Sequence, residues 1–190
     1  MAKIFYFDVE TTGLDSIENS IHQFAYIVEI DGVVMEEGNI QMQPVEIDQL
    51  PDDYVTPVGG ITKADLLTYG TQGQGYKRIM RVLDTYVSRY DKTDKFFISG
   101  YNCQSFDMAF LRRLFDKNGN SFFYAYFWSA SLDVMILVSQ FLINVRSTLP
   151  NFKLETISNH FGIEIQGKGF HDAMSDIRAT REIYQILQIL

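Results

Sequence analysis

IFYFDVETTG, residues 4–13, is the stretch that decides how this chain folds. Its aromatic, apolar and β-branched side chains are typical of a buried β-strand. Asp8 and Glu10 lie two residues apart, so a strand would point both carboxylates to the same face. Thr11-Thr12-Gly13 would end the strand and place the two acids at its carboxyl end, where ligands commonly bind in α/β sheets.

Two neighbouring carboxylates are costly on a buried strand, because they repel each other and because burial disfavours both charges. A cation bound between Asp8 and Glu10 would relieve both costs. The pair therefore predicts a metal site, and the alternative is a strand end with two solvated acids.

The composition is that of a folded protein, since 46% of the 190 residues are hydrophobic and 14% are aromatic. This length suits a single domain spanning 1–190. The apolar runs are too short for a membrane span, and Met1-Ala2-Lys3 leads into the first strand without a secretory segment. Cys103 is the single cysteine, which excludes an internal disulfide and a cysteine zinc cluster, and we expect a cytoplasmic protein.

The net charge of −8 argues against a protein that coats duplex nucleic acid, since such proteins carry a broad basic face. This net charge is compatible with an enzyme that binds one end of a nucleic-acid strand, because divalent cations would neutralise an acidic site locally. Lys77, Arg78 and Arg81 are interpreted as a solvated helix surface, with phosphate contacts as the alternative. Arg178 and Arg181 are expected to touch phosphate or no partner.

Hydrophobic periodicity predicts that the chain opens with three sequential strands in an antiparallel meander. The second and third strands are predicted over 21–30 and 33–43, with a hairpin at Asp31-Gly32. Thr62–Asp65 resembles a capping box that opens a short helix, and 70–75 is interpreted as a flexible break. The other predictions are a helix over 76–90, a strand over 95–99, a helix over 106–117, a strand or packed loop over 122–128, and helices over 131–144 and 153–161.

Asp107 and Asp176 stand where helical periodicity expects apolar residues. Asp107 shares a row with Phe110 and Leu114, and the alternative for it is an ordinary acid in the first turn of a helix. Asp176 lies on an inward row of the last helix, for which Asp172 is the predicted N-cap. An unpaired buried carboxylate is costly, and no lysine or arginine shares that row.

These acids form a constellation that suits Mg²⁺ or Mn²⁺, hard cations that prefer oxygen ligands. Two such ions about 3.5–4 Å apart can clamp an in-line phosphodiester displacement. His171 stands five residues before Asp176 and beside glycines, a position that suits a general base taking a proton from the attacking water. The alternative for His171 taken alone is an incidental loop histidine.

Three short motifs carry a resemblance to a known family. Asp8-Val9-Glu10-Thr11-Thr12-Gly13-Leu14 resembles the first exonuclease motif of the DnaQ-like superfamily, the DEDD 3′→5′ exonucleases. Asn102 with Phe106-Asp107 resembles the second motif, and His171 followed by Asp176 resembles the third. The histidine at that spacing implies the DEDDh branch, and the resemblance covers nearly the whole chain.

The resemblance implies a ribonuclease H-like α/β fold, with a mixed five-stranded sheet, three antiparallel strands first and helices on both faces. It implies two divalent metal ions, both bridged by Asp8. Glu10 and Asp176 would complete one metal site, and Asp107 would serve the other. His171 would be the general base.

The resemblance also implies where the terminal nucleotide binds. Thr11-Thr12-Gly13 would receive it, with Leu14 as a wedge, and the second motif would contribute Asn102 and Phe106. Tyr101 precedes Asn102 where many relatives have histidine, a departure that bears on substrate contacts rather than on metal binding.

The predicted function is a metal-dependent 3′→5′ exonuclease that releases nucleoside 5′-monophosphates from single-stranded DNA or RNA 3′ ends. The alternatives are a non-catalytic nucleic-acid-binding or assembly subunit, and a proofreading subunit of a polymerase assembly. A homodimer or a polymerase assembly stays open as a partner, no membrane contact is expected, and the preference for DNA or RNA is not predicted.

Overall fold

A mixed β-sheet lies at the centre of the protein, with helices on both faces. The structure is a computed structural model and describes residues 2–57, 59–164 and 172–189. The first three strands pair in sequence order as an antiparallel meander, and they are β1 (Lys3–Thr11), β2 (Ile21–Ile30) and β3 (Val33–Gln43).

The turn between β2 and β3 is the Asp31-Gly32 pair. Asp31 has a φ of 49° and Gly32 a φ of 82°, the left-handed values that a two-residue hairpin turn requires. The predicted meander and the predicted ranges 21–30 and 33–43 are confirmed, because strand periodicity and turn chemistry favour the same structure there.

Three shorter strands complete the sheet, and they are β4 (Gly70–Thr71), β5 (Phe97–Gly100) and β6 (Leu132–Asp133). The order across the sheet is β4-β3-β2-β1-β5-β6. Strand β5 runs parallel to β1 and β6, and β4 runs parallel to β3. The sheet therefore has six strands in the described part of the chain, and the predicted count of five is corrected. A strand of two residues is too short to show an alternating pattern.

Seven α-helices appear in the described ranges: α1 (Lys63–Leu66), α2 (Gln72–Tyr86), α3 (Asp107–Lys117), α4 (Phe123–Tyr126), α5 (Val134–Phe141), α6 (Leu154–Phe161) and α7 (Ala173–Ile189). Short 3-10 helices occur at Ile47–Gln49 and Ile143–Thr148. Among the helices that the structure describes, none is both long and apolar enough to cross a membrane.

Three sequence predictions are wrong in detail. The range 70–75 is not a flexible break, because Thr71 caps α2 in a capping box with Gln74. The range 131–144 begins with strand β6 before it turns helical, and 122–128 contains the one-turn helix α4. Strand β6 exists through its pairing with β5, which a local sequence pattern does not show.

In the described part of the chain the core has three clusters, one on each face of the sheet and a third, which includes Val138, Ile157 and Ile183, among α5, α6 and α7. Helices α2 and α3 cover the face that carries Phe5 and Phe7 of β1. Helix α7 covers the opposite face, where Ala173 and Ile177 pack against Ile4 and Tyr6. Because side chains alternate along β1, Asp8 and Glu10 belong to the α7 face.

Candidate active site

Three carboxylates meet at the carboxyl end of β1. Asp8 and Glu10 come from β1 and Asp176 from the first turn of α7. Each offers one oxygen, and these oxygens all lie within 4.8 Å of one another. All three side chains are half-buried. The structure thus brings together three of the four acids of the predicted constellation.

The start of α7 is fixed against the sheet by Asp172. Its Oδ2 accepts hydrogen bonds from the backbone N of Ser175 at 3.2 Å and from the Ser175 hydroxyl at 3.0 Å. Its Oδ1 accepts from Nε2 of Gln23 on β2 at 3.2 Å. The predicted N-cap is thereby confirmed, and the same residue holds Asp176 in line with β1.

Burial and mutual repulsion raise the pKa of the clustered acids. The pKa of Asp8 lies well above its usual range, chiefly because of burial and then because of the charges of Asp107, Glu10 and Asp176. Burial and the charge of Asp176 raise the pKa of Glu10 to about 8. The site therefore concentrates carboxylate oxygens in a place where their charges are unfavourable. This donor set fits a hard divalent cation.

The raised pKa values predict how the stability of the metal-free protein depends on pH. A carboxyl whose pKa is raised by folding binds more protons in the native state than in the unfolded state. Stability is therefore full below the ordinary carboxyl pKa of about 4 and falls as pH rises toward about 8, the pKa of Glu10. We expect the Tm in EDTA to fall across this range, as measured by thermal unfolding.

Added Mg²⁺ or Mn²⁺ supplies the control for this pH effect. The cation binds the deprotonated carboxylates, so its gain in Tm should grow as pH rises. A gain in Tm that stays constant from about pH 5 to about pH 8 would contradict the assignment of these acids as the metal site.

Asp107 lies at the start of α3 and is 5% exposed. Its Oδ1 accepts a hydrogen bond from the backbone N of Val9 at 3.1 Å, which ties α3 to β1 between the two strand acids. Burial raises the pKa of Asp107 to about 7 against the opposing effect of this hydrogen bond. Asp107 acts on Asp8 through its charge but is outside the three-carboxylate cluster. Asp107 therefore lies beside the cluster, and it also occupies the first turn of α3, as the alternative interpretation of this residue expected.

Asp133 is a buried acid that sequence reasoning missed. Its oxygens accept hydrogen bonds from the backbone N atoms of Asn102 at 3.0 Å, Gln104 at 3.0 Å and Met135 at 3.1 Å. It caps α5 and holds the loop that leads to Asp107. An Asp directly before an apolar run is an N-cap signal, but the predicted helix over 131–144 placed it inside the helix.

The Asp133→Ala substitution should destabilise the protein by about 1–3 kcal/mol, because it removes a helix cap and the acceptor for the partly buried backbone N–H groups of Asn102 and Gln104. Urea unfolding measures this loss. Asp116→Ala, an exposed acid on α3, is the matched control and should change stability by less than about 0.5 kcal/mol. Equal effects of the two substitutions would show that Asp133 does not hold the loop.

The loop after β1 is held in place by a second set of residues that the sequence did not reveal. The Thr12 hydroxyl donates to Glu46, whose other oxygen accepts from the Ser20 hydroxyl at 2.6 Å. The Thr12 carbonyl accepts from the Tyr54 hydroxyl at 2.7 Å. Their partners lie 26 to 42 residues away in sequence, so no local pattern could have identified Glu46 and Tyr54.

The predicted nucleotide-contact residues of this loop differ in exposure. Thr11 donates from Oγ1 to the Gly13 carbonyl at 2.7 Å, and Thr12 is buried. A Cβ on Gly13 would lie 2.4 Å from Oδ1 of Asn19, so a side chain there would displace Asn19, whose Oδ1 accepts a hydrogen bond from the Asp15 backbone N at 3.1 Å. Leu14 is 87% exposed at the tip, a position compatible with the predicted wedge.

A cleft of about 480 Å³ opens beside Asp176. Tyr101, Asn102 and Phe152 contribute to its lining, and the Tyr101 hydroxyl donates to the Phe152 carbonyl at 2.6 Å. Asn102 adopts a left-handed φ of 60°. Phe106 lies outside this lining, half-buried, with its ring centroid 4.9 Å from that of Phe110.

The structure does not describe the predicted general base, and it corrects the prediction for two arginines of α7. His171, the predicted general base, lies outside the described residues. Arg178 and Arg181 were expected to meet phosphate or no partner, and this is corrected. Arg178 pairs with Glu37 of β3, and Arg181 pairs with the buried Glu29 of β2 at 2.6 Å.

Comparisons with known proteins agree with this architecture. The RNase_T family model, described as Exonuclease, matches residues 5–184. No curated protein sequence matches the chain at a significant level.

Solved structures of E. coli exonuclease I share the fold. The complex with single-stranded DNA and zinc has a TM-score of 0.75, and the complex with a dA16 oligonucleotide has a TM-score of 0.73. Each is 23% identical in sequence, and the match covers 100% of this chain and 41% of the other. This chain therefore spans about two fifths of the length of these proteins.

Proposed function

Because the chain belongs to the RNase_T exonuclease family, within the DnaQ-like superfamily, we propose that it degrades single-stranded nucleic acid from the 3′ end. Family membership supports an exonuclease activity, and the carboxylate cluster supports its dependence on a metal. The polarity, the single-stranded substrate and the number of metal ions are the proposed parts. One exonuclease domain would span 1–190.

The observation that carries the proposal is the carboxylate cluster of Asp8, Glu10 and Asp176. A binding module has no need of three acids whose oxygens lie within 4.8 Å of one another. A nuclease needs them, because the phosphate that reacts is itself an anion and must be brought to the site with cations. The cost of the repelling charges is therefore consistent with a catalytic use.

In the proposed site, the four acids Asp8, Glu10, Asp107 and Asp176 would hold two ions of Mg²⁺ or Mn²⁺. Asp8 would contribute to both positions, Glu10 and Asp176 to one and Asp107 to the other. When bound, the two ions supply an activated water and positive charge at the leaving oxygen. The hydrogen bond from Val9 orients Asp107, and Asp172 orients the helix that carries Asp176.

His171 would take a proton from the attacking water at an imidazole nitrogen. The water oxygen then bonds to phosphorus as the bond between phosphorus and the 3′ oxygen breaks. A nucleoside 5′-monophosphate leaves, and the shortened strand keeps a 3′ hydroxyl. This histidine role is a prediction from its spacing to Asp176.

The terminal nucleotide would lie between the loop after β1 and the cleft beside Asp176. The exposed Leu14 and the aromatic rings of Tyr101 and Phe152 offer apolar surfaces to unstacked bases. The solved complexes of E. coli exonuclease I with single-stranded DNA support a single strand as substrate. Both DNA and RNA are candidate substrates, and they differ in the 2′ hydroxyl of the sugar.

A pair of end-labelled oligonucleotides tests this function. Single-stranded DNA and RNA with a 5′ label should give a ladder that shortens gradually, whereas a 3′ label should be released at once as a mononucleotide. Both reactions should need Mg²⁺ or Mn²⁺ and stop in EDTA. Immediate release of the 5′ label would reverse the polarity. Intact substrate in every condition would favour a binding subunit, or a proofreading subunit that acts within a polymerase assembly.

A further inference from the structure

A shallow groove on α2 carries a concentration of positive charge away from the carboxylate cluster. The groove has a volume of about 320 Å³, and its basic side is formed by Lys77, Arg78 and Arg81. All three side chains are exposed. Gly70 of β4 and Gln74 of α2 also line it. We refer to this feature as the α2 groove.

Lys77, Arg78 and Arg81 make no ion pair within the described ranges, and all three lie on the same helix, α2. The chain has 24 acidic and 16 basic residues, so carboxylate partners are abundant. The described residues that line the groove include no carboxylate, and Glu36, which like Arg78 acts on Tyr26 through its charge, accepts hydrogen bonds from Tyr26 at 2.7 Å and Tyr86 at 3.1 Å. The α2 groove therefore presents positive charge that the protein itself does not neutralise there.

The α2 groove is connected in space to the active-site end of the sheet. Gln72, the first residue of α2, donates from Nε2 to the carbonyls of Ile21 and Gln43. Ile21 pairs with Thr11 at the end of β1. Arg81 follows nine residues later, about 13 Å along the helix at 1.5 Å per residue. Because α2 and the clustered acids lie on opposite faces of the sheet, a strand whose 3′ end occupies the active site would pass around this end of the sheet, beside Gln72, to reach the three cations.

We propose that the α2 groove binds the phosphate backbone of the substrate strand, upstream of the nucleotide being removed. This inference rests on the proposed function. The described groove lining contains no aromatic ring, so it offers charge to phosphates rather than a stacking surface to bases. Such contacts are independent of sequence and sensitive to salt.

The test compares Arg78→Gln/Arg81→Gln with Lys92→Gln/Arg112→Gln, which removes the same charge from two other exposed positions. Metal-free binding of a labelled single strand of about 20 nucleotides is measured by fluorescence anisotropy at several salt concentrations. The groove variant should bind roughly tenfold more weakly at low salt, and its slope of log K against log salt should shrink by about 1.4. The control variant should follow the wild type.

Steady-state turnover adds a substrate-length comparison. The groove variant should raise KM for the long strand but not for a trinucleotide, which is too short to reach Arg81. Unchanged binding in the groove variant, or the same loss in the control variant, would overturn the inference. Binding of a glutamate-rich peptide that is lost in the groove variant, with DNA binding intact, would assign the groove to an acidic protein segment instead.

The two proposals fail in different ways in these experiments. If the wild type leaves every 3′ end intact, the proposed function fails, while the metal-free binding result still judges the groove. If the wild type shortens the long strand and the groove variant binds equally well, the groove inference alone fails. The charge-reversed Arg78→Glu/Arg81→Glu variant should show a larger loss of binding than the glutamine variant.

Discussion

The Asp8→Asn variant is expected to lose exonuclease turnover by about a thousandfold or more, while its metal-free form unfolds at a higher temperature than the wild type. Asp8 contributes one oxygen to the three-carboxylate cluster, and its charge interacts with those of Glu10, Asp107 and Asp176. Replacing it with an amide removes a proposed metal ligand. The same change relieves repulsion among buried acids, which raise one another's pKa.

Rates on a labelled single strand and thermal unfolding in EDTA measure the two effects. A stabilisation of 1 kcal/mol would raise the Tm by about 2–4 °C in a protein of this size. Asp116→Asn is the matched control, an exposed acid on α3 that should change neither quantity. Turnover of Asp8→Asn within tenfold of the wild type would remove Asp8 from the catalytic site.

The His171→Ala variant should lose turnover by about 10²–10⁴-fold while keeping the gain in Tm that Mg²⁺ or Mn²⁺ gives the wild type. The physical reason is that a general base moves a proton and does not hold the metal. A metal ligand would instead lose both turnover and the gain in Tm. Single-turnover rates and thermal unfolding with and without metal separate these cases.

A second histidine provides the control for His171→Ala. His160 is exposed near the end of α6, beside the ring of Phe161, so His160→Ala should retain full turnover. If His171→Ala lost metal stabilisation as completely as Asp8→Asn, the assignment of His171 as the base would be contradicted. Turnover of His171→Ala close to the wild-type rate would favour the incidental loop histidine.

Local patterns were sufficient to predict the first half of the sheet. Strands β2 and β3 and the Asp31-Gly32 turn follow from alternation and turn chemistry that act within a few residues. Strands β4 and β6 escaped prediction because each has two residues and exists through pairing with β3 or β5. Such pairing is decided by the tertiary structure.

In the candidate site, too, some residues could be predicted from local sequence patterns and others could not. Asp8, Glu10 and Asp176 could be predicted, because an acid on an apolar row stands out against its own neighbours. Asp133 and Glu46 could not, because they hold the site through hydrogen bonds to segments distant in sequence. The sequence therefore identified the acids proposed for the chemistry but not the residues that position their loops.

The most direct test of the account is an anomalous difference map from crystals soaked in Mn²⁺ together with a short single-stranded oligonucleotide. The account predicts one peak bounded by Asp8, Glu10 and Asp176, and a second peak between Asp8 and Asp107 beside the terminal phosphate. Crystals of active protein that bind the oligonucleotide but show no manganese at these carboxylates would contradict it.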